Sequence, residues 1–249
     1  MWDTFANNGQ NAVIEFKVRA SRVTPGSTII NTALASWNSL PDSLSGSQSP
    51  LNPLAVRRSY QPNDPVDTYA SLSSAQITIP ALPDTGFAPG KITPLPAASQ
   101  EFQDLGSLWL EVPSLGVQNP IVGVPLRGGE WDISWLYRQA GYLQGTKYPT
   151  QEGNSALTAH VYLPDGTPGP FVNLHTLKWG DQVILHNNDL VYIYEVRQIL
   201  RIDPKDPSVL QPSDRAWVTL LTCQGFDEAS GQYRWRIAVR AVLMKVESH

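Results

Sequence analysis

Cysteine is nearly absent from this 249-residue chain, with Cys223 its single thiol, and only four histidines and two methionines accompany it. A lone thiol cannot form an intrachain disulfide, and no Cys/His or His/carboxylate spacing resembles a zinc site. Charged residues are sparse at 16%, with a formal net charge of −4, so no basic surface for nucleic acid is expected. No stretch approaches the ~20 apolar residues of a membrane-spanning helix, and the N-terminus lacks the basic-then-apolar pattern of a signal peptide. Long amphipathic helices are missing too, which excludes the parallel α/β cysteine enzymes.

What is abundant is short strands and turn formers, with 18 glycines and 21 prolines. From about residue 105 onward, runs at Leu108 to Val112, Ile121 to Val124, Trp131 to Trp135, Ser155 to His160, Gln182 to His186, Leu190 to Arg197, Trp217 to Cys223 and Trp235 to Val246 read as strands. Only Phe171 to Lys178 has helical spacing. The fold class is therefore all-β, a barrel with short helices.

Three chemistry-bearing groups sit on these strands. Cys223 ends Trp217-Val218-Thr219-Leu220-Leu221-Thr222-Cys223, His160 ends Ala156-Leu157-Thr158-Ala159-His160, and Arg236 lies in Arg234-Trp235-Arg236-Ile237-Ala238-Val239-Arg240. A sulfur nucleophile, a proton-handling imidazole and a fixed guanidinium are the types that cysteine acyl transfer requires. Strand phase puts Thr219 and Leu221 on the face of Cys223, and it leaves Arg234, Arg236 and Arg240 equivalent on theirs.

Thr219-Leu220-Leu221-Thr222-Cys223, an arginine thirteen positions later and Thr158-Ala159-His160 resemble the sortases, bacterial cysteine transpeptidases, over residues from about 105 to the C-terminus. Leu108 to Gly123 is similar to the first strands of that fold. The resemblance implies a sortase-type β-barrel with His160, Cys223 and Arg236 as catalytic residues, the thirteen-residue offset singling out Arg236. It implies attack of Cys223 on the Thr carbonyl of a Leu-Pro-X-Thr-Gly peptide, proton delivery by His160, and oxyanion support from Arg236 with a backbone N–H near Gln224. The implied partners are the sorting signals of surface proteins and an amine acceptor such as a peptidoglycan precursor or a pilin lysine. The implied location is the outer face of a bacterial cell. No cofactor is implied; calcium stimulation, known in some members, would draw on loop carboxylates such as Asp203, Asp206, Asp227 or Glu228. The loop from Asp203 to Asp214 would wall the peptide groove. One residue departs from the family pattern: Ala159 stands where glycine is usual, and its methyl is expected to crowd the backbone beside the imidazole.

The remaining segments read differently. Residues 1–80 carry strands at Val13 to Ala20, Ser27 to Trp37 and Ala75 to Ile79, too few to close a sandwich. The Pro25-Gly26 turn followed by Ile29-Ile30-Asn31-Thr32-Ala33 resembles the closing strands of immunoglobulin-like repeats of bacterial surface proteins. The expectation is an incomplete β-sandwich in a chain that is a fragment of something longer. Residues 81–104 form a Pro/Gly-rich linker, and 105–249 the catalytic domain.

Within the linker, Leu82-Pro83-Asp84-Thr85-Gly86 fits the Leu-Pro-X-Thr-Gly pattern that sortases cleave between Thr and Gly. It reads either as a spacer held extended by its prolines or as a peptide for the chain's own site. Phe87 to Asp104 spans at most ~60 Å against a domain ~40 Å across, so the tether reaches. Its effective concentration would be on the order of millimolar.

Three other readings compete with the enzyme. Cys223-Gln224-Gly225 is similar to a caspase-type motif, although Leu221-Thr222 replaces Gln-Ala. A peptide-binding surface module without catalysis is the second, and an inert buried thiol in a β domain the third. The enzyme reading expects the three groups to meet at one open groove with an accessible sulfur.

Overall fold

The computed structural model describes residues 25–38, 68–95 and 103–248. β1 (Thr28–Asn38) and β2 (Thr68–Thr78) pair antiparallel as a two-stranded sheet, with Thr28 opposite Thr78. Ile30, Leu34, Leu72 and Ile77 of this hairpin are exposed. The strand expected at Val13 to Ala20 lies outside the described residues.

Eight strands close a barrel: β3 (Gln103–Val112), β4 (Val117–Val124), β5 (Ala140–Leu143), β6 (Gly153–Thr158), β7 (Gln182–Asn187), β8 (Leu190–Ile202), β9 (Ala216–Asp227) and β10 (Gln232–Ser248). Their order around the barrel is β10-β8-β7-β3-β4-β5-β6-β9, and β9 pairs with β10 to complete it. Alternate residues fill the interior, among them Leu108, Leu110 and Val112 of β3, Val183 and Leu185 of β7, Val218 and Leu220 of β9, and Ile237 and Val239 of β10. This is the two-residue period that made those strands readable.

One wall is buried on both faces. Val122, Val124, Leu143, Ala156, Leu221 and Ala238 turn outward and join a second apolar cluster with Trp131, Ile133, Leu136 and Val209 from the flanking loops. The pairs β4–β5 and β6–β9 in this wall are parallel, and parallel strands covered on both sides lose the alternation of a half-exposed strand. β5 escaped the sequence reading for that reason: its four residues Ala-Gly-Tyr-Leu are all buried and show no period.

Two expected elements differ. Residues 131–135 form a turn, because the Asp132 carboxylate accepts from the Ser134 N–H at 3.0 Å and the Ser134 hydroxyl at 2.7 Å, and the Leu136 N–H then donates to the Ile133 carbonyl. The helix expected at 171–178 shrinks to a 3-10 turn at Leu174–Thr176, closed by bonds of short reach such as Leu174 N–H to Phe171 O. Its apolar face survives, since Phe171, Leu174 and Leu177 are all buried in the main core.

Candidate active site

The parallel pairing of β6 with β9 sets Thr158 opposite Leu221, and the antiparallel pairing of β9 with β10 sets Arg236 opposite Cys223. Cysteine and arginine therefore come from neighbouring strands, and the histidine follows two residues after the end of the strand on the other side of β9. Side chains staple the first pair: the Thr158 hydroxyl donates to Leu221 O and the Thr222 hydroxyl to Ala159 O, both at 3.0 Å. The second bond carries the pairing past the end of β6 to the residue before His160. The methyl of Ala159, expected to crowd the imidazole, instead packs in the main core. It is Gly169 that meets His160 closely, where an added Cβ would lie 2.2 Å from the His160 carbonyl oxygen.

Register also separates the three arginines that phase left equivalent. Arg236 is buried, Arg234 is an exposed partner of Asp227, and Arg240 lies over the Trp217 ring and donates to Gln198.

The groove these strands form is filled by the chain itself. Leu82 is buried in the outer apolar cluster that also holds Val209 of the loop preceding β9. That loop is fixed by Asn154, whose amide donates to Val209 O and Gln211 O and whose carbonyl accepts from the Thr219 hydroxyl. Arg236 Nε donates to Pro83 O at 3.2 Å, and Arg236 Nη2 meets Asp84 Oδ1 at 3.2 Å. Cys223 Sγ accepts from the Thr85 N–H at 3.2 Å and donates to Asp84 Oδ1 at 3.4 Å. The Thr85 carbonyl accepts from the Val161 N–H at 2.8 Å. Phe87 follows, its ring centroid 5.0 Å from that of His160 and its carbonyl accepting from the Tyr233 hydroxyl at 2.7 Å. Further bonds from Gly90 to Gly166 and from Thr93 to Pro164 continue the docking.

An open groove was expected, and the structure corrects this. Sγ is sealed, 1% of Cys223 being exposed, and the residues that seal it are Asp84 and Thr85. The Asp84 side chain itself is 74% exposed. It borders a cavity of about 660 Å³ walled by Arg127, Glu130, Trp131 and Trp135, so the third motif position faces open space.

Burial governs the protonation of both Cys223 and His160. Desolvation pushes the Cys223 thiol up to about 12; the Arg236 guanidinium pulls it down, Asp84 pushes it further up, and the contacts with Thr85 lower it. Desolvation also holds His160 below its ordinary 6.5, against the upward pull of the Ile133 and Thr85 carbonyls and the Asp84 carboxylate. His160 Nε2 is 2.9 Å from Ile133 O, while buried Nδ1 has no hydrogen-bond partner. Near neutral pH the thiol and imidazole are both uncharged in this arrangement.

Nothing in the residue pattern pointed to Ile133, Val161 or Tyr233. Val161 acts through its backbone, which carries no side-chain signature. Its N–H, rather than one near Gln224, meets the Thr85 carbonyl. His186 pairs with Glu111 at 2.8 Å, away from the site, and His175 lies in the 3-10 turn. Among the described residues no group of three or more His, Cys, Asp or Glu could hold a metal ion, so the loop carboxylates do not converge there.

The model of the sortase domain matches residues 110–244, more than half of the chain. The chain belongs to the sortase family. It is 29% identical over 82 residues to sortase A of Bacillus anthracis, a match covering 33% of this chain and 38% of that protein's length. Among solved structures it is similar to the pilus-related sortase C of Group B Streptococcus, at 29% identity and TM-score 0.47, over 55% of this chain and 66% of that one. A lid mutant of sortase A from Corynebacterium diphtheriae is similar at 24% identity and TM-score 0.49, over 60% and 74% of the respective chains. No helix among the described residues of this sortase is long and apolar enough to cross a membrane.

Proposed function

We propose that this sortase is a cysteine transpeptidase acting on Leu-Pro-X-Thr-Gly-type sorting signals at the outer face of a bacterial cell, and that its own Leu82–Gly86 segment occludes the site at rest. What supports the reading is one juxtaposition: Cys223, Arg236 and the backbone beside His160 all contact a Leu-Pro-Asp-Thr-Gly sequence in the same chain.

The chemistry follows from the groups present. With the segment displaced by substrate, Cys223 and His160 act as thiolate and imidazolium. The sulfur attacks the Thr carbonyl, the Thr–Gly C–N bond breaks, and His160 gives its proton to the departing glycine amine. Arg236 holds the peptide by the carbonyl before the third position, as it now holds Pro83, and offers its remaining donors to the developing oxyanion. An incoming amine, such as that of a peptidoglycan precursor or a pilin lysine, then attacks the thioester, forms the new amide and returns the thiol.

In the seated state this cycle does not start. The thiol is neutral, and the Asp84 carboxylate engages both sulfur and guanidinium. The segment is thus a tethered competitor of the substrate.

The test is incubation of the full chain and of Asp84→Ala with a quenched Leu-Pro-Asp-Thr-Gly peptide and triglycine, with and without calcium, followed by mass spectrometry. Ligated product that disappears in Cys223→Ala is expected, with the chain itself intact. A second reading, a binding module permanently seated on its own peptide, draws on the sealed sulfur. It is the outcome if Asp84→Ala exposes Cys223 to alkylation yet makes neither ligated nor hydrolysed peptide.

A further inference from the structure

Gly86 follows the bond that a sortase would cut, and its surroundings are closed on two sides. An ideal Cβ built there would lie 2.4 Å from Val161 Cγ1, 3.0 Å from Tyr233 Cε2 and 3.1 Å from Tyr233 Cζ. Gly86 is not among the glycines with positive φ, so its own backbone does not demand glycine. What demands it is space.

The two walls cannot readily yield. Val161 is β-branched and stiff at χ1, it is buried, and its backbone is held on both sides: its N–H donates to Thr85 O at 2.8 Å and its carbonyl accepts from the Gly169 N–H at 2.9 Å. Tyr233 is buried, packs edge-on to Phe226 at 5.1 Å, and is tied at its far end by the bond from its hydroxyl to Phe87 O. Gly153 provides the contrast: the atom nearest an added Cβ there is Cγ of the flexible Lys147 chain, and it is the positive φ of 120° that calls for glycine.

We propose that Val161 and Tyr233 form a steric gate that restricts the leaving residue of the substrate to glycine. They are specificity-determining residues, and the inference rests on the reading that Leu82–Gly86 lies in the groove in substrate register. A methyl group at that position must displace a pinned side chain or lift the peptide off the Val161 N–H. The loss for an alanine-containing peptide is on the order of ten- to a hundredfold in binding or turnover.

The gate is tested first in the full chain by the alkylation rate of Cys223, read by mass spectrometry. Gly86→Ala unseats the segment and raises the rate by roughly ten- to a hundredfold. Combined with Val161→Ala, which removes Cγ1, it labels at a rate returned toward that of the parent chain, whereas the near-isosteric Val161→Thr gives no such return. The second arm leaves the gate unaltered. In the Asp84→Ala chain, free Leu-Pro-Asp-Thr-Gly protects Cys223 from alkylation at lower concentration than Leu-Pro-Asp-Thr-Ala, and is the better donor to triglycine. Equal protection by the two peptides, or slow labelling of Gly86→Ala, overturns the gate whether or not ligation occurs. Selective protection with no ligation by any chain keeps the gate and overturns the transpeptidase reading instead.

Discussion

Removing the Asp84 carboxylate should open the site. Asp84 Oδ1 sits 3.2 Å from Arg236 Nη2 and 3.4 Å from Cys223 Sγ. The two ends of the ion pair differ sharply in environment, the Arg236 side chain being 7% exposed and that of Asp84 74%. Water therefore screens one partner, and the contact falls between an exposed pair and a buried charge-assisted bond, contributing about 1–2 kcal/mol to seating. Its loss raises the unseated population by about 5- to 30-fold. Asp84→Ala also removes a charge that pushes the thiol up, so both effects favour reaction at sulfur. The assay is alkylation of Cys223 by iodoacetamide at pH 7.5 under conditions where opening is faster than labelling, so that the rate reports the open fraction. Asp84→Asn, which keeps a neutral acceptor, should fall between Ala and the parent. Labelling of Asp84→Ala no faster than the parent, with an unchanged melting temperature, would refute the idea that this carboxylate holds the segment.

Leu82→Ser removes the apolar anchor, for which burial of a leucine side chain contributes about 1.5–3 kcal/mol; labelling of Cys223 should rise at least tenfold, without loss of the barrel's circular dichroism. Thermal melts across pH should show stability falling at both ends. The folded thiol keeps its proton up to about 12, against 9.0 for an ordinary thiol, so stability declines as pH rises through that window; Cys223→Ala weakens this limb and leaves the part above pH 10 that comes from Tyr194 and Tyr233, whose burial also pushes them up. His160 is held below 6.5, the folded state binds fewer protons than the unfolded one, and stability declines as pH falls through 6.5. Arg236→Lys should cut ligation on the order of a hundredfold while leaving Cys223 present and alkylatable, because an ammonium cannot reproduce the fork that spans Pro83 O and Asp84; near-parental ligation rates would remove Arg236 from the mechanism.

Half-exposed strands announced themselves by their period, whereas the doubly covered β6 and β9 were legible only as runs of β-forming residues. β3, β7 and β8 alternate over much of their length because one face meets the interior and the other meets water or loops, and they were readable except for the first five residues of β3 and the last five of β8. β5, covered on both sides, was not. The turn at 131–135 was mistaken for a strand because three apolar residues alternate there; Asp132 and Ser134, the residues that make the turn, occupied the polar positions. At the site, the side chains of Cys223, His160 and Arg236 were visible by type, but the contacts that come from backbone were not: the Val161 N–H and the Ile133 carbonyl belong to no motif, and the Pro83 carbonyl gives no side-chain signal. The Leu82–Gly86 pattern was visible as a peptide. That it would seal the sulfur depended on the fit of Leu82, Asp84 and Thr85 into a groove assembled from distant segments.

The parallel pairing of β6 with β9 has an architectural consequence. Parallel neighbours cannot be joined by a hairpin, so every residue from 159 to 215 belongs to the crossover between β6 and β9. That excursion includes His160 itself and supplies β7, β8, Val161 and the Val209 wall, while the spacing of sulfur and guanidinium is set by the β9–β10 ladder and the residue before His160 is tied to β9 by the Thr222 hydroxyl. Loops such as 203–215 can lengthen, shorten or change composition while Cys223 and Arg236 keep their places in the β9–β10 ladder, which makes this stretch the natural ground for reshaping the groove.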